Sequence, residues 1–452
     1  LLCGMSALGG GFFFFQTARK KKSKKKLVYT SRMKRLIGCA AAVHLVLGIL
    51  LLVVFRLPVA FAAILLLLLP LWIALDGLLV WPLEKGISEL YFRDAQRILQ
   101  SRKDLIRIGI TGSWGKTSVK FILGTLLSEK YSTLVTPASF NTPMGVTKVI
   151  RTKLEPGHRI FIAEMGARHV GDIKEMCRLV HPAVGVLTSV GPQHLDTFKT
   201  LDRIKKTKYE LMDAIPEDGK CFFADDEGIV RELYEKTEKP KFLAGMDPAR
   251  DDVWAEELRV TPQGSTFQLC TRDERVSCKT ELLGELNIRN ILLCAAVCLQ
   301  MDMSLKEVAR GISKLRSVEH RLQLIRNPGG VNVIDDAFNS NIKGAAQAFQ
   351  VLKAFPGKRI VVTPGMVELG DRELEMNREF GKSMADCCDV AVLIGKKRAE
   401  AIAEGLSEAG FTENGIIFVN SLGEATEYLA TAVQKGDTIL FENDLPDNYR
   451  ET

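Results

Sequence analysis

The apolar residues of this chain follow two different patterns. Near the amino terminus they form two long runs, residues 36–55 with His44 as the interruption and residues 57–82 with Asp76. Each run reaches the length of about 20 residues that a helix needs to cross a bilayer. We therefore predict a two-helix transmembrane hairpin over residues 36–82.

From residue 104 onward, short runs of β-branched and apolar residues alternate with stretches of helical periodicity. Strands are predicted at LIRIGIT, RIFIAEM, VGVLTSV, CFFAD, VNVIDDA, RIVVTPG, VAVLIG, IIFVN and DTILFE. Such alternation is typical of an α/β fold with a mainly parallel sheet. Between the two patterns, residues 83–103 combine helix-spaced apolar positions with mixed charge, which predicts an amphipathic connector.

A break near residues 311–332 divides the α/β part, because strands and helices alternate anew after it. The length of 452 residues agrees with more than one folded domain, since single domains usually hold about 50–250 residues. The predicted organisation is a basic segment (1–35), the hairpin (36–82), the connector (83–103), a central domain (104–314) and a Rossmann-like C-terminal α/β domain (315–452).

The charge distribution adds an orientation to this scheme. The formal net charge is +7, but residues 19–35 hold ten Lys or Arg and no acidic residue, which leaves −3 elsewhere. A nucleic-acid-binding domain would carry positive charge on its folded part, so nucleic acid is not expected as a partner. Basic residues before the first apolar run, with only Arg56 between the runs, predict that everything after residue 82 is cytoplasmic. We therefore expect a multi-pass protein of the cell membrane, with the lipid bilayer as a partner.

A glycine-rich loop lies between the first predicted strand and a helix, in GITGSWGKTS (residues 109–118). Gly112 and Gly115 allow the backbone to turn its N–H groups towards phosphate oxygens, and the helix amino terminus adds a favourable dipole. Lys116 can reach the β- and γ-phosphates, and Thr117 can offer its hydroxyl to Mg²⁺. The common GxxxxGK[ST] spacing is not met, and a plain strand-to-helix turn is the alternative interpretation.

This loop resembles the ATP-binding loop of the Mur ligase family, whose members form amide bonds in peptidoglycan synthesis. Further short motifs match the family in the same order from residue 105 to the carboxyl end. The resemblance implies a P-loop central domain followed by the C-terminal α/β domain of the family. The ATP contacts that it implies in the loop are Gly112, Ser113, Gly115, Lys116, Thr117 and Ser118.

The resemblance also implies a metal site. Glu164, in IFIAEMGARHVGDI, is the expected Mg²⁺ ligand beside Thr117, and carboxylate and hydroxyl oxygens suit this cation. His194, in LTSVGPQHLDTF, stands where the family has a metal-site histidine, with a surface histidine as the alternative. Lys208, in KKTKYELM, aligns with the lysine that the family carbamylates, with a solvated basic face as the alternative. A second ion near His194 and Lys208 would bring in the carboxylate substrate, and Lys116, Lys208 and His194 are the predicted catalytic residues.

Other motifs imply contacts with the substrate and the nucleotide. Asn141 and Thr142, in SFNTPMGVT, resemble the family loop near the reacting carboxylate, with an Asn/Thr-Pro turn as the alternative. Three further motifs, LLGELNIRN, SVEHRLQLI and VIDDAFNSN, match nucleotide-binding segments of the family. The contacts that they imply are Asn287 at the adenine, Arg321 from the domain junction, and Asp336 at the ribose or another part of the nucleotide.

The chain departs from the family pattern at several points. Leu286 replaces the usual histidine before Asn287, and Phe338 replaces the usual tyrosine two positions after Asp336. The Lys-Gly-Ser motif usual near the carboxyl end is replaced by LFENDLPDNY, and we expect the predicted hairpin to stand in place of the family's N-terminal UDP-binding domain. In VTPGMVELGD, Glu368 either has a structural role or lines an amine pocket.

The chemistry implied by the family is ATP-dependent, ADP-forming amide synthesis through an acyl phosphate, with Mg²⁺ as the cofactor. A muropeptide carboxylate and an amino-acid or dipeptide amine, such as D-alanyl-D-alanine, are the expected substrates in cell-wall synthesis. Three alternatives remain open: another Mur-type ligase on a lipid-linked or poly-glutamate substrate, a membrane-attached P-loop kinase or transport ATPase, and a non-catalytic scaffold that binds nucleotide.

Overall fold

The computed structural model describes residues 29–50, 69–138, 140–193, 195–326, 329–338, 342–367 and 369–444. The chain divides into two compact units, Leu1–Arg93 and Asp94–Thr452. The first unit contains helix α1 (Ser31–Ile49) and most of helix α2 (Leu69–Ser101). These two helices are joined by an ion pair between Arg35 and Glu84, with N–O distances of 2.9 and 3.2 Å.

The predicted membrane location is wrong, and the hairpin and the bilayer partner on which it depended are not supported. In the part of the chain that the structure describes, no helix is both long enough and apolar enough to cross a membrane. The helices do not coincide with the apolar runs, because α1 begins inside the basic segment and α2 continues past Pro82 into the charged residues predicted as a connector. The centre of the predicted hairpin, residues 51–68, lies outside the described residues.

The amino-terminal part of the second unit contains a nine-stranded sheet. Its strands are β1 (Ile106–Thr111), β2 (Thr133–Val135), β3 (Ile160–Glu164), β4 (Val184–Leu187), β5 (Lys220–Ala224), β6 (Lys241–Gly245), β7 (Val253–Thr261), β8 (Gly264–Cys270) and β9 (Arg275–Thr280). Their spatial order is β2-β3-β1-β4-β5-β6-β7-β8-β9, parallel as far as β7 and antiparallel from β7 to β9. The predicted mainly parallel sheet is thus confirmed, and the antiparallel extension was not predicted.

The antiparallel extension has a different sequence pattern from the parallel strands. The first three residues of β7 are buried, and the six that follow alternate between partly buried and exposed positions, with Glu257 and Arg259 among the exposed ones. Strands β3 and β4 are instead buried at every position, and the last four residues of β1 are buried as well. The strands were predicted from short runs of apolar and β-branched residues, and Glu256, Glu257 and Arg259 interrupt such a run in β7.

Helices cover the two faces of this sheet. They are α3 (Lys116–Leu127), α4 (Pro143–Lys153), α5 (Asp172–Val180), α6 (Leu195–Phe198), α7 (Leu201–Ala214), α8 (Ile229–Lys236), α9 (Glu285–Leu299) and α10 (Leu305–Ser313). Helix α9 is apolar on nearly all sides because it lies between the sheet and α3, with Ile291 and Cys294 fully buried. This core fixes α3, and therefore the loop that precedes it, against the sheet.

The carboxyl-terminal part is a second α/β layer structure around a six-stranded sheet. Its strands are β10 (Gln323–Arg326), β11 (Asn332–Asp336), β12 (Arg359–Thr363), β13 (Val390–Ile394), β14 (Ile416–Val419) and β15 (Thr438–Glu442), in the order β10-β11-β15-β12-β13-β14. Only β10 is antiparallel to its neighbour. The helices are α11 (Ile342–Lys353), α12 (Glu373–Met384), α13 (Lys397–Glu408) and α14 (Leu422–Ala432). The predicted C-terminal α/β fold is confirmed, and its boundary at residues 314 and 315 stays a prediction.

Strand β1 marks the point where the strand order of the nine-stranded sheet reverses. It lies between β3 and β4. The chain that leaves β1 continues to β2 and β3 on one side of β1, and the chain that leaves β3 continues to β4 on the other side. In open α/β sheets, ligands bind in the crevice beyond the carboxyl ends of the strands at such a point. The strands β1, β3 and β4 end at Thr111, Glu164 and Leu187, and the residues that follow or close these strands meet in that crevice.

Candidate active site

The loop from residue 112 to residue 115 connects β1 to α3 and is held in one conformation. Gly112 and Gly115 have φ angles of 154° and 82°, a region that residues with a side chain rarely adopt. A Cβ on Gly112 would lie 2.1 Å from the Thr188 hydroxyl, so only glycine fits there. The Ser113 N–H donates to the Ser189 carbonyl at 2.9 Å, which ties the loop to the segment after β4.

The first turn of α3 faces the same cleft as the loop. Its N-cap residue, Gly115, has no side chain that could accept from the first N–H groups of the helix. Those groups and the positive end of the helix dipole form an anion-binding surface. Lys116, Thr117 and Ser118 line the cleft from this turn.

Lys116 bends back over the loop. Its Nζ donates to the carbonyls of Gly112 at 2.6 Å and Ser113 at 2.9 Å. Burial, and to a smaller extent the charge of Arg321, lower the pKa of the Lys116 amine to about 8, while the Glu164 carboxylate acts in the opposite direction. The amine is held by neutral carbonyl groups, so its charge is available to offset that of a phosphate.

Glu164 is the last residue of β3, and its carboxylate accepts hydrogen bonds from three side chains. Its Oε1 accepts from the Thr117 hydroxyl and from the Asn141 amide, both at 3.2 Å. Its Oε2 accepts from Lys120 Nζ at 3.0 Å, and both side chains of this ion pair are buried. Thr117, Asn141 and Glu164 are thus brought together, whereas Lys120 was not singled out in the sequence. The available signal was a lysine one turn after Lys116 in an otherwise apolar helix.

The oxygen atoms of Thr117 and Glu164 suit a magnesium ion. Among the described residues, no group of three or more His, Cys, Asp or Glu side chains forms a metal cage. Mg²⁺ is usually bound by one or two protein oxygens together with phosphate oxygens and water, rather than by an all-protein cage. A hydroxyl and a carboxylate next to a phosphate loop therefore fit this ion. His194, the other predicted metal ligand, lies outside the described residues.

Lys208 lies on α7 and lines the same cleft. Its side chain is 3% exposed, and no described residue forms a hydrogen bond or an ion pair with its amine. Burial, followed by the charge of Lys116, holds the pKa of this amine well below its usual value, although Asp172 and Glu210 act against the shift. The alternative of a solvated basic face does not apply to Lys208.

The cleft has a volume of about 460 Å³, and its walls come from both α/β parts. The C-terminal part contributes Arg321, which precedes β10, and Phe338, which follows β11. The Arg321 guanidinium stacks on the Phe338 ring at 4.2 Å from the ring centre. Asn141 and Thr142 line the cleft, and the Thr142 hydroxyl also caps α4 by accepting from the Gly145 N–H at 3.3 Å.

A smaller cleft of about 60 Å³ adjoins the large one and contains the remaining predicted nucleotide contacts. It is lined by Asn287 and Asp336, and it shares Gly115, Ser118 and Arg321 with the large cleft. The Asn287 amide donates to the Leu283 carbonyl at 2.9 Å, and Asp336 Oδ1 accepts from the Leu322 N–H at 3.0 Å. Burial raises the pKa of Asp336 to about 6.

The predicted residues therefore occupy two connected cavities rather than one. Lys116 lines only the large cleft and Asp336 only the small one, with Arg321 common to both. Glu368, in the loop after β12, lies outside the described residues. This arrangement can hold an elongated anionic ligand whose two ends occupy different cavities.

The sequence matches two family descriptions in tandem. Residues 110–298 match the Mur ligase middle domain, and residues 320–442 match the Mur ligase, glutamate ligase domain. These segments correspond to the nine-stranded and the six-stranded sheets with their helices.

Curated relatives extend over most of the chain. UDP-N-acetylmuramoyl-tripeptide--D-alanyl-D-alanine ligase of Escherichia coli (strain K12) is 29% identical over 365 residues, which are 78% of this chain and 80% of that protein. The protein of the same name from Bacillus subtilis (strain 168) is 27% identical over 339 residues, 74% of this chain and 72% of that protein.

Solved structures show the same architecture. MurF from Acinetobacter baumannii has a TM-score of 0.71 and 26% identity, over 79% of this chain and 77% of that chain. The MurF ligase from Thermotoga maritima, in complex with ADP, has a TM-score of 0.71 and 26% identity, over 79% of this chain and 80% of that chain.

Proposed function

Since the chain carries the middle and the C-terminal domains of the Mur ligase family, we propose that it joins D-alanyl-D-alanine, or a similar amine, to the carboxylate of a muropeptide in peptidoglycan synthesis. It is an ATP-dependent, ADP-forming amide ligase of the Mur type. One observation carries the proposal: Lys116, Thr117 and Glu164 meet on one wall of a cleft whose other wall holds Arg321. The names of the E. coli and B. subtilis relatives support this choice of substrates.

The proposed reaction has two steps. An oxygen of the acceptor carboxylate attacks the γ-phosphorus of ATP, and the bond from that phosphorus to the bridging oxygen breaks. The products of this step are an acyl phosphate and ADP. The amine nitrogen then attacks the acyl carbon, the bond from that carbon to the phosphate oxygen breaks, and inorganic phosphate leaves while the amine loses a proton. Both steps require alignment of the reactants and neutralisation of phosphate charge more than covalent help from the protein.

The residues of the large cleft meet these requirements. Lys116 and the N–H groups at the start of α3 offset the charge of the β- and γ-phosphates. Thr117 and Glu164 would hold Mg²⁺, which would supply further positive charge at the phosphates. Asn141 and Thr142 orient the acceptor carboxylate, since both line the cleft next to Glu164.

The residues of the small cleft bind the other end of the nucleotide. Asn287 contacts the adenine, Asp336 contacts the ribose or another part of the nucleotide, and Arg321 lines both clefts. Because these contacts come from both domains, closure of the C-terminal domain completes the site. A second Mg²⁺ near His194 and Lys208 belongs to this proposal.

We include carbamylation of Lys208 in the proposal. The neutral amine attacks CO₂, a nitrogen–carbon bond forms, and one proton leaves to solvent, which converts the amine into a carbamate anion. A buried amine with a depressed pKa is neutral over a wide pH range, and no described acidic group pairs with it. The carbamate would replace an amine that is repelled by Lys116 with an anion that Lys116 attracts.

The test supplies the full-length chain with ATP, Mg²⁺, D-alanyl-D-alanine and a UDP-linked muropeptide tripeptide. We expect ADP release that depends on both substrates, and a product whose mass equals the sum of the two substrates minus one water. ATP hydrolysis without an amide product would indicate a P-loop ATPase or kinase, and tight ATP binding without turnover would indicate a scaffold. Parallel reactions with a lipid-linked muropeptide and with glutamate identify another Mur-type substrate, and a Lys116→Ala variant serves as the inactive control.

A further inference from the structure

Lys120 is a fully buried lysine that the proposed reaction does not use. It lies on α3, one turn after Lys116, and its side chain is 0% exposed. Its Nζ donates to Glu164 Oε2 at 3.0 Å and also to the Ala138 carbonyl. Lysine is almost never fully buried unless it is paired, because removal of an ammonium from water costs several kcal/mol. A buried lysine at this point therefore requires an explanation.

The ion pair divides the two oxygens of Glu164 between different surroundings. Oε2 faces Lys120 and the protein interior, whereas Oε1 faces Thr117 and Asn141 at the wall of the cleft. The carboxylate cannot turn both oxygens towards the cleft without breaking its bond to Lys120. Only one carboxylate oxygen is therefore available to a cation beside Thr117.

We propose that Lys120 is a positioning residue that restricts Glu164 to a single-oxygen contact with the divalent cation and thereby favours Mg²⁺ over Ca²⁺. Mg²⁺ requires a compact octahedral shell, whereas the larger Ca²⁺ accepts six to eight oxygens and often takes both oxygens of one carboxylate. A carboxylate with one oxygen withheld suits the smaller ion. The inference rests on the proposed function only in that Glu164 faces a divalent cation.

The test compares the dissociation constants of Mg²⁺ and Ca²⁺ by titration calorimetry, with the full-length protein saturated with a non-hydrolysable ATP analogue. Removal of the donor in Lys120→Met frees Oε2, so we expect the preference for Mg²⁺ to fall about tenfold or more. Lys120→Gln retains a neutral and weaker donor, and we expect a fall of about threefold. Lys220→Met is the matched control, because Lys220 donates to the carbonyl and side chain of Gln300 away from the cleft. We expect no change in that variant.

Each variant is first checked for folding by circular dichroism. If Lys120→Met does not fold, Lys120→Gln alone decides, since a preference equal to that of the wild type overturns the proposal. An equal preference in a folded Lys120→Met variant overturns it as well. The readout is cation binding and not amide formation, so a chain that binds Mg²⁺ as proposed but makes no muropeptide product would refute the proposed function and leave this inference standing.

Discussion

Lys208 lines the cleft, Lys120 lies behind the cleft residue Glu164, and the two lysines differ in the charges that surround them. Both side chains are buried, at 0% and 3% exposure, and burial lowers the pKa of both amines. The Glu164 carboxylate opposes this effect at Lys120 through an ion pair of 3.0 Å. At Lys208 the largest influence on the pKa after burial is a second positive charge, that of Lys116.

Burial alone therefore does not determine the charge state or the role of a lysine. A buried ammonium beside a carboxylate stays charged and serves to hold its partner in place. A buried amine beside another cation is pushed towards its neutral form, which is the form that reacts as a nucleophile. Lys120 is thus suited to orient Glu164, whereas the surroundings of Lys208 agree with the reaction that we propose for it.

The largest expected effect comes from breaking the pair at Lys120. Glu164→Gln leaves a buried ammonium without its counter-ion, and we expect the free energy of unfolding to fall by about 3–5 kcal/mol. Urea denaturation followed by circular dichroism measures this change. The double variant with Lys120→Met removes both charges and is expected to recover most of the loss. A single variant as stable as the wild type would show that the pair does not hold this corner of the cleft.

The second largest effect is expected at Lys208. Lys208→Ala removes the carbamate that we propose, and we expect the rate of amide formation to fall about 10²–10³-fold. The wild type is also expected to lose activity in CO₂-depleted buffer and to regain it with bicarbonate. Lys206→Ala, an exposed neighbour on the same helix, is the control and should respond to CO₂ like the wild type. Full activity of Lys208→Ala would remove Lys208 from the mechanism.

A smaller effect is expected from a change in the part of the cleft that contains Arg321 and Phe338. Arg321 lowers the pKa of Lys116 and Lys120, and it is held by stacking on Phe338. Phe338→Leu removes a cation–π contact of about 0.5–2 kcal/mol, so we expect ATP to bind about fivefold more weakly in an equilibrium titration. Phe418→Leu on β14 changes an exposed phenylalanine away from the cleft and is the control. The response to CO₂ should be unchanged, and a change there would couple Arg321 to Lys208.

The smallest effect concerns Lys116. Burial lowers the pKa of its amine, as at Lys120 and Lys208, and the Glu164 carboxylate opposes this effect, as at Lys120. Its lowered pKa of about 8 means that the free protein loses the ammonium charge as the pH rises through that value. Phosphates favour the charged form, so nucleotide binding raises this pKa and takes up a proton. We expect ATP affinity to fall about twofold from pH 7 to pH 8, with uptake of about half a proton at pH 8. Calorimetry in buffers of different ionisation enthalpy measures the uptake, and zero uptake at pH 8 would contradict the assignment.

Most of the parallel strands and the phosphate loop could be predicted from the amino-acid sequence alone. The alternation of strands and helices, the loop from Gly112 to Thr117 and the separate C-terminal α/β part were all predictable, because each depends on residues close together in the chain. The length of an apolar run was a poor guide at the amino terminus, since α1 and α2 begin and end at other residues than the runs do.

The pairing of charged side chains could not be predicted, because it depends on contacts between distant segments. Lys120 and Glu164 are 44 positions apart, and their contact exists because β3 pairs with β1, which places the end of one strand beside the helix that follows the other. In the same way Lys208 changed from a possible surface lysine to a buried one when α7 packed against the sheet. Local periodicity records helices and strands, whereas strand order and burial depend on packing between distant segments, and these set the protonation and the partner of each lysine.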